Sequence, residues 1–171
     1  PTYSDRKRAK SLAGKIFHAK KVEWTIMSFQ PYKAAGPDQI FPALLQKALT
    51  HIAETLGCLF KASYIWGYIP TSWRKVNVVF LPKPGKPSYL AKSYRPVSLT
   101  SFLLKSMEKM INLHIREDME TSYPLHHTQY AYRKGRSTEM ALHEISQEIE
   151  KTLRCKDFSL DAFLDIEGAF D

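Results

Sequence analysis

The sequence predicts an α+β fold, in which helices combine with a few short strands. Apolar residues recur at three- and four-residue steps between Ile40 and Ile65, which indicates an amphipathic helix. Two runs of β-forming residues, 74–81 and 94–99, flank a turn, which is typical of an antiparallel hairpin. Apolar and polar residues alternate over 158–166, which predicts a strand with one buried face.

The remaining elements follow in chain order. Residues 1–30 look helical, but their poor apolar periodicity favours a linker or a basic arm. Gly36-Pro37-Asp38 is a predicted turn, with Asp38 as the N-cap of the first amphipathic helix. Gly67 and Pro70 are predicted to end that helix.

Two further helices are predicted after the hairpin, whose second strand carries Pro96 and is therefore expected at an edge. The first covers 102–119. The second begins at Ser137 or Thr138 and ends near Leu153, after an irregular stretch at 121–136.

Composition excludes several classes of protein. The chain has 171 residues, of which 44% are hydrophobic, so we expect a packed core and not global disorder. Its two cysteines, Cys58 and Cys155, lack metal-ligand spacing and favour a reducing compartment. No apolar run is long enough for a membrane span, and no secretory leader opens the sequence. Because the chain starts at Pro1 and stops at Asp171 inside a predicted strand, we expect both termini to be cuts.

Charge is unevenly distributed. The net charge is +5 over residues 1–30, +8 over 31–110 and −5 over 111–171, for a total of +8. A basic front followed by an acidic back favours one surface for a polyanion and another for metal or solvent. The alternative is a solvated basic surface without a specific partner.

Candidate chemistry lies in the hairpin and in the last strand. Lys83, Lys86, Lys92 and Arg95 surround a Pro/Gly turn, where lysine and arginine could bind phosphate. Asp165 is a candidate ligand for Mg²⁺, which prefers carboxylate oxygens. Each feature also has an ordinary structural explanation, as a solvated hairpin tip or as an exposed acidic residue on a strand.

A third basic cluster, Arg133-Lys134-Gly135-Arg136, precedes a predicted helix N-terminus and suits a nucleic-acid backbone. A charged turn is the alternative. His126 and His127 have no carboxylate or cysteine at ligand spacing, so we do not predict a metal site there.

Six motifs in a fixed order carry a family resemblance. They are Lys33-Ala-Ala-Gly-Pro-Asp-Gln-Ile40, Pro70-x-x-Trp73, Leu81-Pro-Lys-Pro-Gly-Lys86, Tyr94-Arg-Pro-Val-Ser-Leu99, Gln129-Tyr-Ala-Tyr-Arg-Lys-Gly-Arg-Ser-Thr138 and Phe163-Leu-Asp-Ile-Glu-Gly-Ala-Phe-Asp171. In this order they resemble the reverse transcriptase domain of non-LTR (LINE-type) retrotransposons. The resemblance covers residues 33–171.

The resemblance implies a right-hand polymerase, truncated to its fingers and the first palm strand. Residues 1–30 would be a basic helical leader, residues 31–156 the fingers and the fingers–palm helices, and residues 157–171 the first palm strand with its catalytic motif. Asp165 matches the family's first catalytic aspartate, a ligand of both Mg²⁺ ions. The backbone carbonyl of Ile166 matches the next ligand.

The resemblance also assigns binding roles. Arg95 matches the fingers arginine that contacts the incoming nucleotide, and either Lys83 or Lys86 matches the lysine on its triphosphate. Phe170 matches the aromatic residue under the incoming sugar. The segment that contacts the template and the nascent base pair contains Gln129, Arg133, Lys134 and Arg136.

The implied partners are an RNA template, a DNA primer and deoxynucleoside triphosphates, with two Mg²⁺ ions, or Mn²⁺ in their place. The implied location is intracellular, in nucleus and cytoplasm, without a membrane. Gly168 and Ala35 depart from the family pattern without removing a catalytic group. The family's later aromatic-x-Asp-Asp motif is not found in this sequence. We therefore predict that these 171 residues alone neither polymerise nor fold robustly.

Two alternatives remain open from the sequence. One is a transposon-derived nucleic-acid-binding protein that retained the basic fingers without polymerase activity. The other is the inert product of a degenerate element. The intact motifs around Arg95 and Asp165 favour the polymerase.

Overall fold

The computed structural model describes residues 3–166, without the side chains of residues 3, 4, 119 and 120. The chain divides into two compact units, Pro1–Ser122 and Tyr123–Asp171. Helices and a two-stranded sheet make up the described structure, as the α+β prediction requires. Within this part of the chain, no helix combines the length and the apolar character needed to cross a membrane.

The first unit contains five helices and one hairpin among its described residues. In chain order these are α1 (Tyr3–Ile16), α2 (Ala19–Met27), α3 (Pro42–Trp66), α4 (Thr71–Arg74), β1 (Asn77–Pro82), β2 (Tyr94–Leu99) and α5 (Phe102–Ser122). A single 3₁₀ turn at Ala91–Ser93 precedes β2.

Helices α1 and α2, which cover most of residues 1–30, contribute to the core. The expectation of a linker or arm was therefore wrong, although the helical character was predicted. Ala13, Ile16 and Phe17 are each at most 1% exposed. In α1 the residues at 9, 12, 13 and 16 form an inner stripe with i, i+3, i+4, i+7 spacing. Two of those four residues are alanines, whose weak hydrophobicity hid the period in the sequence.

Helix α3 lies at the centre of this core. Its buried stripe contains Leu45, Leu49 and Leu56, as the apolar periodicity predicted, and continues to Phe60. The ring of Phe17 meets those of Phe60 and Tyr64 at centroid distances of 6.1 and 5.7 Å. The other contributors from α2 and α5 are Val22, Ile26, Phe102, Leu104, Met107 and Met110.

The two ends of α3 compare differently with the sequence prediction. Gly67 ends the helix with φ of 60°, a left-handed conformation that glycine adopts without strain, so this prediction is confirmed. The N-cap prediction was wrong, because Phe41 holds that position and Pro42 begins the helix. Asp38 Oδ1 instead accepts a hydrogen bond from the Ile40 amide at 3.2 Å, which closes a local turn.

The predicted antiparallel hairpin is confirmed. β1 pairs with β2 over six residues, from Asn77 opposite Leu99 to Pro82 opposite Tyr94. Pro96 faces Phe80 in a two-stranded sheet, where every strand is an edge. All six residues of β1 are exposed, so the described helices do not cover this sheet.

The second unit contains α6 (Thr138–Arg154) after an irregular stretch, as predicted. Ser137 caps the helix, and its Oγ accepts a hydrogen bond from the Met140 amide at 3.2 Å. The predicted strand at 158–166 is not formed, and its supposedly buried residues are open, with Phe158 100% and Leu160 99% exposed. A strand needs a hydrogen-bonding neighbour, and the described residues offer it none.

Candidate nucleotide and nucleic-acid interface

The hairpin places Lys83 and Arg95 on one face. Arg95 is directly opposite Leu81, and the Lys83 amide donates to the Ser93 carbonyl at 2.7 Å, which continues the same register. Residues two apart on a strand share a face, and directly opposite residues do too. Lys83 and Arg95 are therefore diagonal neighbours at the turn end of the hairpin.

Internal hydrogen bonds order the hairpin tip. The Lys83 ammonium donates to the Lys92 carbonyl at 2.9 Å, and the Tyr94 hydroxyl donates to the Ser88 carbonyl at 2.9 Å. Gly85 turns the chain with φ of +71°. Lys86 is exposed, and its ammonium contacts no partner in the part of the chain that the structure describes.

Trp73 anchors the base of the hairpin. It lies in the short helix α4, is only 5% exposed, and meets the Phe60 ring edge-on at a centroid distance of 5.9 Å. Thr71 accepts a hydrogen bond from the Arg74 guanidinium at 3.1 Å in the same turn. The Pro70-x-x-Trp73 motif therefore ties the start of β1 to α3 in the core.

At the same end of the hairpin, the Gly36 turn holds the last residues of β2. A Cβ atom on Gly36 would lie 2.7 Å from the Thr100 carbonyl carbon, so only glycine fits here. Ser101 is fully buried, and its Oγ accepts a hydrogen bond from the Leu103 amide at 3.2 Å at the start of α5. The turn, the end of β2 and the start of α5 thus form one contact.

The basic segment of the second unit is an ordered loop before α6. Arg133 donates to the His126 carbonyl at 3.0 Å, and the Arg136 guanidinium lies 5.1 Å from the centre of the Tyr130 ring. The backbone amide of Gln129 donates to the same His126 carbonyl at 3.0 Å. Lys134 is exposed. Guanidinium has five N–H donors, so both arginines keep donors for an external phosphate.

Asp165 and Ile166 are exposed at the end of the described chain. No group of three metal-ligating side chains occurs among the residues that the structure describes. One carboxylate and one carbonyl supply fewer oxygens than the six of a Mg²⁺ coordination sphere. These two residues could therefore supply two of the ligands of a Mg²⁺ site but not the complete set. Phe170 lies outside the described residues.

Comparison with known families decides the classification. The sequence model of the family described as reverse transcriptase (RNA-dependent DNA polymerase) matches residues 81–171, just over half of the chain. The chain belongs to the reverse transcriptase family. The match begins in β1, and it contains the hairpin cations, the basic loop and Asp165.

Curated relatives place this reverse transcriptase segment with the non-LTR, LINE-type elements. It is 28% identical to the probable RNA-directed DNA polymerase from transposon BS of Drosophila melanogaster, over 94% of this chain and 18% of that protein. It is 32% identical to the probable polymerase from transposon X-element of the same fly, over 81% of this chain and 15% of that protein. The RNA-directed DNA polymerase from mobile element jockey of Drosophila melanogaster is 27% identical, over 81% of this chain and 15% of that protein. The chain thus spans less than a fifth of these relatives' length.

Sequence reasoning missed the contacts that order the hairpin tip and, separately, the basic loop. The Lys92 carbonyl, the Tyr94 hydroxyl and the Tyr130 ring each contact a predicted binding residue or its loop. Only the six-motif order could have pointed to Tyr94 and Tyr130, because both lie inside motifs. A backbone carbonyl such as that of Lys92 leaves no signal in residue type.

Proposed function

We infer that this chain is the fingers and the beginning of the palm of an RNA-directed DNA polymerase from a non-LTR retrotransposon. In this proposal residues 31–156 contain the fingers and the fingers–palm helices, and residues 157–171 begin the palm. The observation that carries it is the shared face of Lys83 and Arg95 on a basic hairpin inside the family match. The substrates would be an RNA template, a DNA primer and deoxynucleoside triphosphates.

The hairpin would bind the triphosphate of the incoming nucleotide. Arg95 can donate two parallel hydrogen bonds to phosphate oxygens, and ammonium adds a point charge. Lys83 suits this role better than Lys86, because it shares the face of Arg95 and its ammonium is already held by the Lys92 carbonyl. An ammonium group has three donors, so two stay available, and little side-chain freedom is lost on binding.

The basic loop would contact the template and primer backbone through Arg133, Lys134 and Arg136, with Gln129 beside them. These contacts carry little sequence preference, as a polymerase that copies any template requires. The ordered guanidinium groups lower the entropic cost of binding.

Asp165 and the Ile166 carbonyl would supply two oxygen ligands for divalent metal ions, Mg²⁺ or Mn²⁺, whose other ligands come from outside the described residues. When bound, such ions stabilise the attacking and leaving oxygens of nucleotidyl transfer. Phe170 would lie under the incoming sugar. Asp165 is exposed and has no basic partner among the described residues, so its carboxylate is available for a cation.

RNA-templated primer extension by the longer protein that contains this segment tests the proposal. We expect DNA synthesis that depends on Mg²⁺ and falls by about 10²–10³-fold or more in Asp165→Asn. Asp161→Asn is the matched control, since Asp161 is also exposed and only accepts a hydrogen bond from Ser159. Absence of RNA-templated synthesis, or equal loss in both variants, would refute the proposed function.

A nucleic-acid-binding protein without polymerase activity is the second candidate. The ordered arginines of the basic loop favour it, because they can bind phosphate without a metal ion. It predicts salt-sensitive binding of RNA or DNA that needs no divalent ion. The primer-extension measurement separates the two candidates, because only the polymerase incorporates nucleotides.

A further inference from the structure

Helix α1 has two faces of opposite character. Its inner stripe at positions 9, 12, 13 and 16 is buried or half-buried against the core. Every residue at the remaining positions from 7 to 15 is exposed. On this outer side lies a set that we call the α1 basic face, made of Lys7, Arg8, Ser11, Gly14 and Lys15.

The α1 basic face is a continuous cationic stripe. Lys7, Ser11 and Lys15 follow at four-residue steps and therefore lie one above another along the helix. Arg8 lies two turns before Lys15 on the same side. Asp5, the acidic residue of α1, belongs to the first turn and lies outside these positions.

Within the part of the chain that the structure describes, the charges of this stripe have no acidic partner. Lys7, Arg8 and Lys15 form no ion pair within the described residues. Basic residues elsewhere do, as between Lys21 and Glu117 at 3.1 Å and between Arg154 and Glu150 at 3.3 Å. The three cations of the α1 basic face therefore remain available for an external anion.

Gly14 is an independent indication of an external partner. Glycine within a helix costs about 0.5–1 kcal/mol relative to alanine. A Cβ atom on Gly14 would meet no atom within 4 Å, and its φ is not positive, so neither packing nor backbone geometry requires glycine. Together with Ser11, it leaves open space between the cations, where another backbone can approach the helix closely.

The helix that carries this face is anchored at both ends. The Arg6 guanidinium lies 5.2 Å from the Trp66 ring centre at the end of α3. At the other end, Phe17 packs on Phe60 and Tyr64. A face on an anchored helix loses little conformational freedom when it binds.

We propose that the α1 basic face binds the phosphate backbone of a nucleic-acid strand without sequence preference, as a contact separate from the hairpin. Lys7 and Lys15 are about 12 Å apart along the helix axis. That distance covers about three or four phosphates of one strand of a duplex. The proposal does not depend on polymerisation, because it concerns binding alone.

Burial of the other face argues against an anionic membrane as the partner. A helix that lies in a membrane interface inserts its apolar side among the lipids. In α1 that side is already packed, with Ala13 and Ile16 at 0% and 1% exposure. Only the charged and small residues remain accessible, and they suit a regularly spaced row of phosphates.

Fluorescence anisotropy with the full chain and a labelled RNA 20-mer tests the proposal. The test variant is Lys7→Gln/Arg8→Gln/Lys15→Gln, in which glutamine keeps helix propensity. The control is Lys151→Gln/Arg154→Gln/Lys156→Gln. It also replaces two lysines and one arginine, but in the second unit. Both variants lower the net charge equally, and circular dichroism verifies that each retains its helices.

We expect the α1 variant to bind RNA more weakly. Because each lost contact to a single-strand phosphate lowers the slope of log Kd against log salt by about 0.7, the loss of three contacts should lower it by about 2. The control should keep the slope of the unmodified chain. Equal slopes in all three proteins would overturn the proposal, as would equal reductions in both variants. Vesicles with anionic lipid serve as a competing probe, and α1-dependent binding to vesicles but not to RNA would also overturn it.

Discussion

Gly36 and Thr100, far apart in the chain, are in backbone contact: a Cβ atom on Gly36 would lie 2.7 Å from the Thr100 carbonyl carbon and 2.8 Å from the Ser101 nitrogen. The contact joins the turn before α3 to the junction of β2 and α5. Together with Trp73 at the start of β1, it fixes both strands of the exposed hairpin to the helical core.

Substitution Gly36→Ala should therefore destabilise the first unit by about 1–3 kcal/mol, because the new methyl group meets backbone atoms that cannot rotate away. Urea unfolding followed by tryptophan fluorescence measures this directly, since the three tryptophans of the chain, Trp24, Trp66 and Trp73, all lie in the first unit. Gly14→Ala is the control and should stabilise by about 0.5–1 kcal/mol. Unchanged stability in Gly36→Ala would contradict the close contact.

Trp73→Ala should cost about 3–5 kcal/mol of the free energy of unfolding, because it leaves a cavity beside Phe60. Trp66→Ala is the matched control. Trp66 is 67% exposed and should cost about 1 kcal/mol or less, from its contact with Arg6. Far-ultraviolet circular dichroism during urea unfolding gives both values, and similar losses in the two variants would count against the anchoring role of Trp73.

The two units should differ in local stability. No residue described between 123 and 166 is buried, whereas α3 lies in the core. We expect amide hydrogens of 42–66 to exchange at least about 100-fold more slowly than those of 138–154. Hydrogen–deuterium exchange with mass spectrometry measures this ratio. Equal protection would contradict this expectation, because it would mean that the amides of 138–154 are as well shielded from solvent as those of α3.

Lys83→Gln and Lys86→Gln should differ in the longer polymerase. Loss of an ordered, charge-assisted contact to the triphosphate should raise the KM for deoxynucleotides about tenfold or more in Lys83→Gln. Lys86→Gln should change it by less than about threefold, because the Lys86 ammonium makes no hydrogen bond or ion pair within the described residues. Steady-state primer extension at varied nucleotide concentration compares them, and the reverse order would assign the triphosphate to Lys86.

Local signals predicted most of the elements correctly. Gly67 ends α3, Ser137 caps α6 and the hairpin strands pair as expected, because turns, caps and periodicity act over a few residues. The strand at 158–166 was predicted from the same kind of signal and does not form. Its alternation of apolar and polar residues favours a strand only where a neighbouring strand is available to pair with it. The residues that the structure describes supply no such strand.

The sequence by itself determined the family, the order of the motifs and the residue types available to bind phosphate and metal. Only the tertiary structure decided that α1 and α2 contribute residues to the core, that Lys83 shares a face with Arg95, and that Gly36 touches Thr100. The physical reason is distance along the chain. Residue type and spacing report local preference, whereas contacts between distant segments depend on how the helices pack and how the strands register.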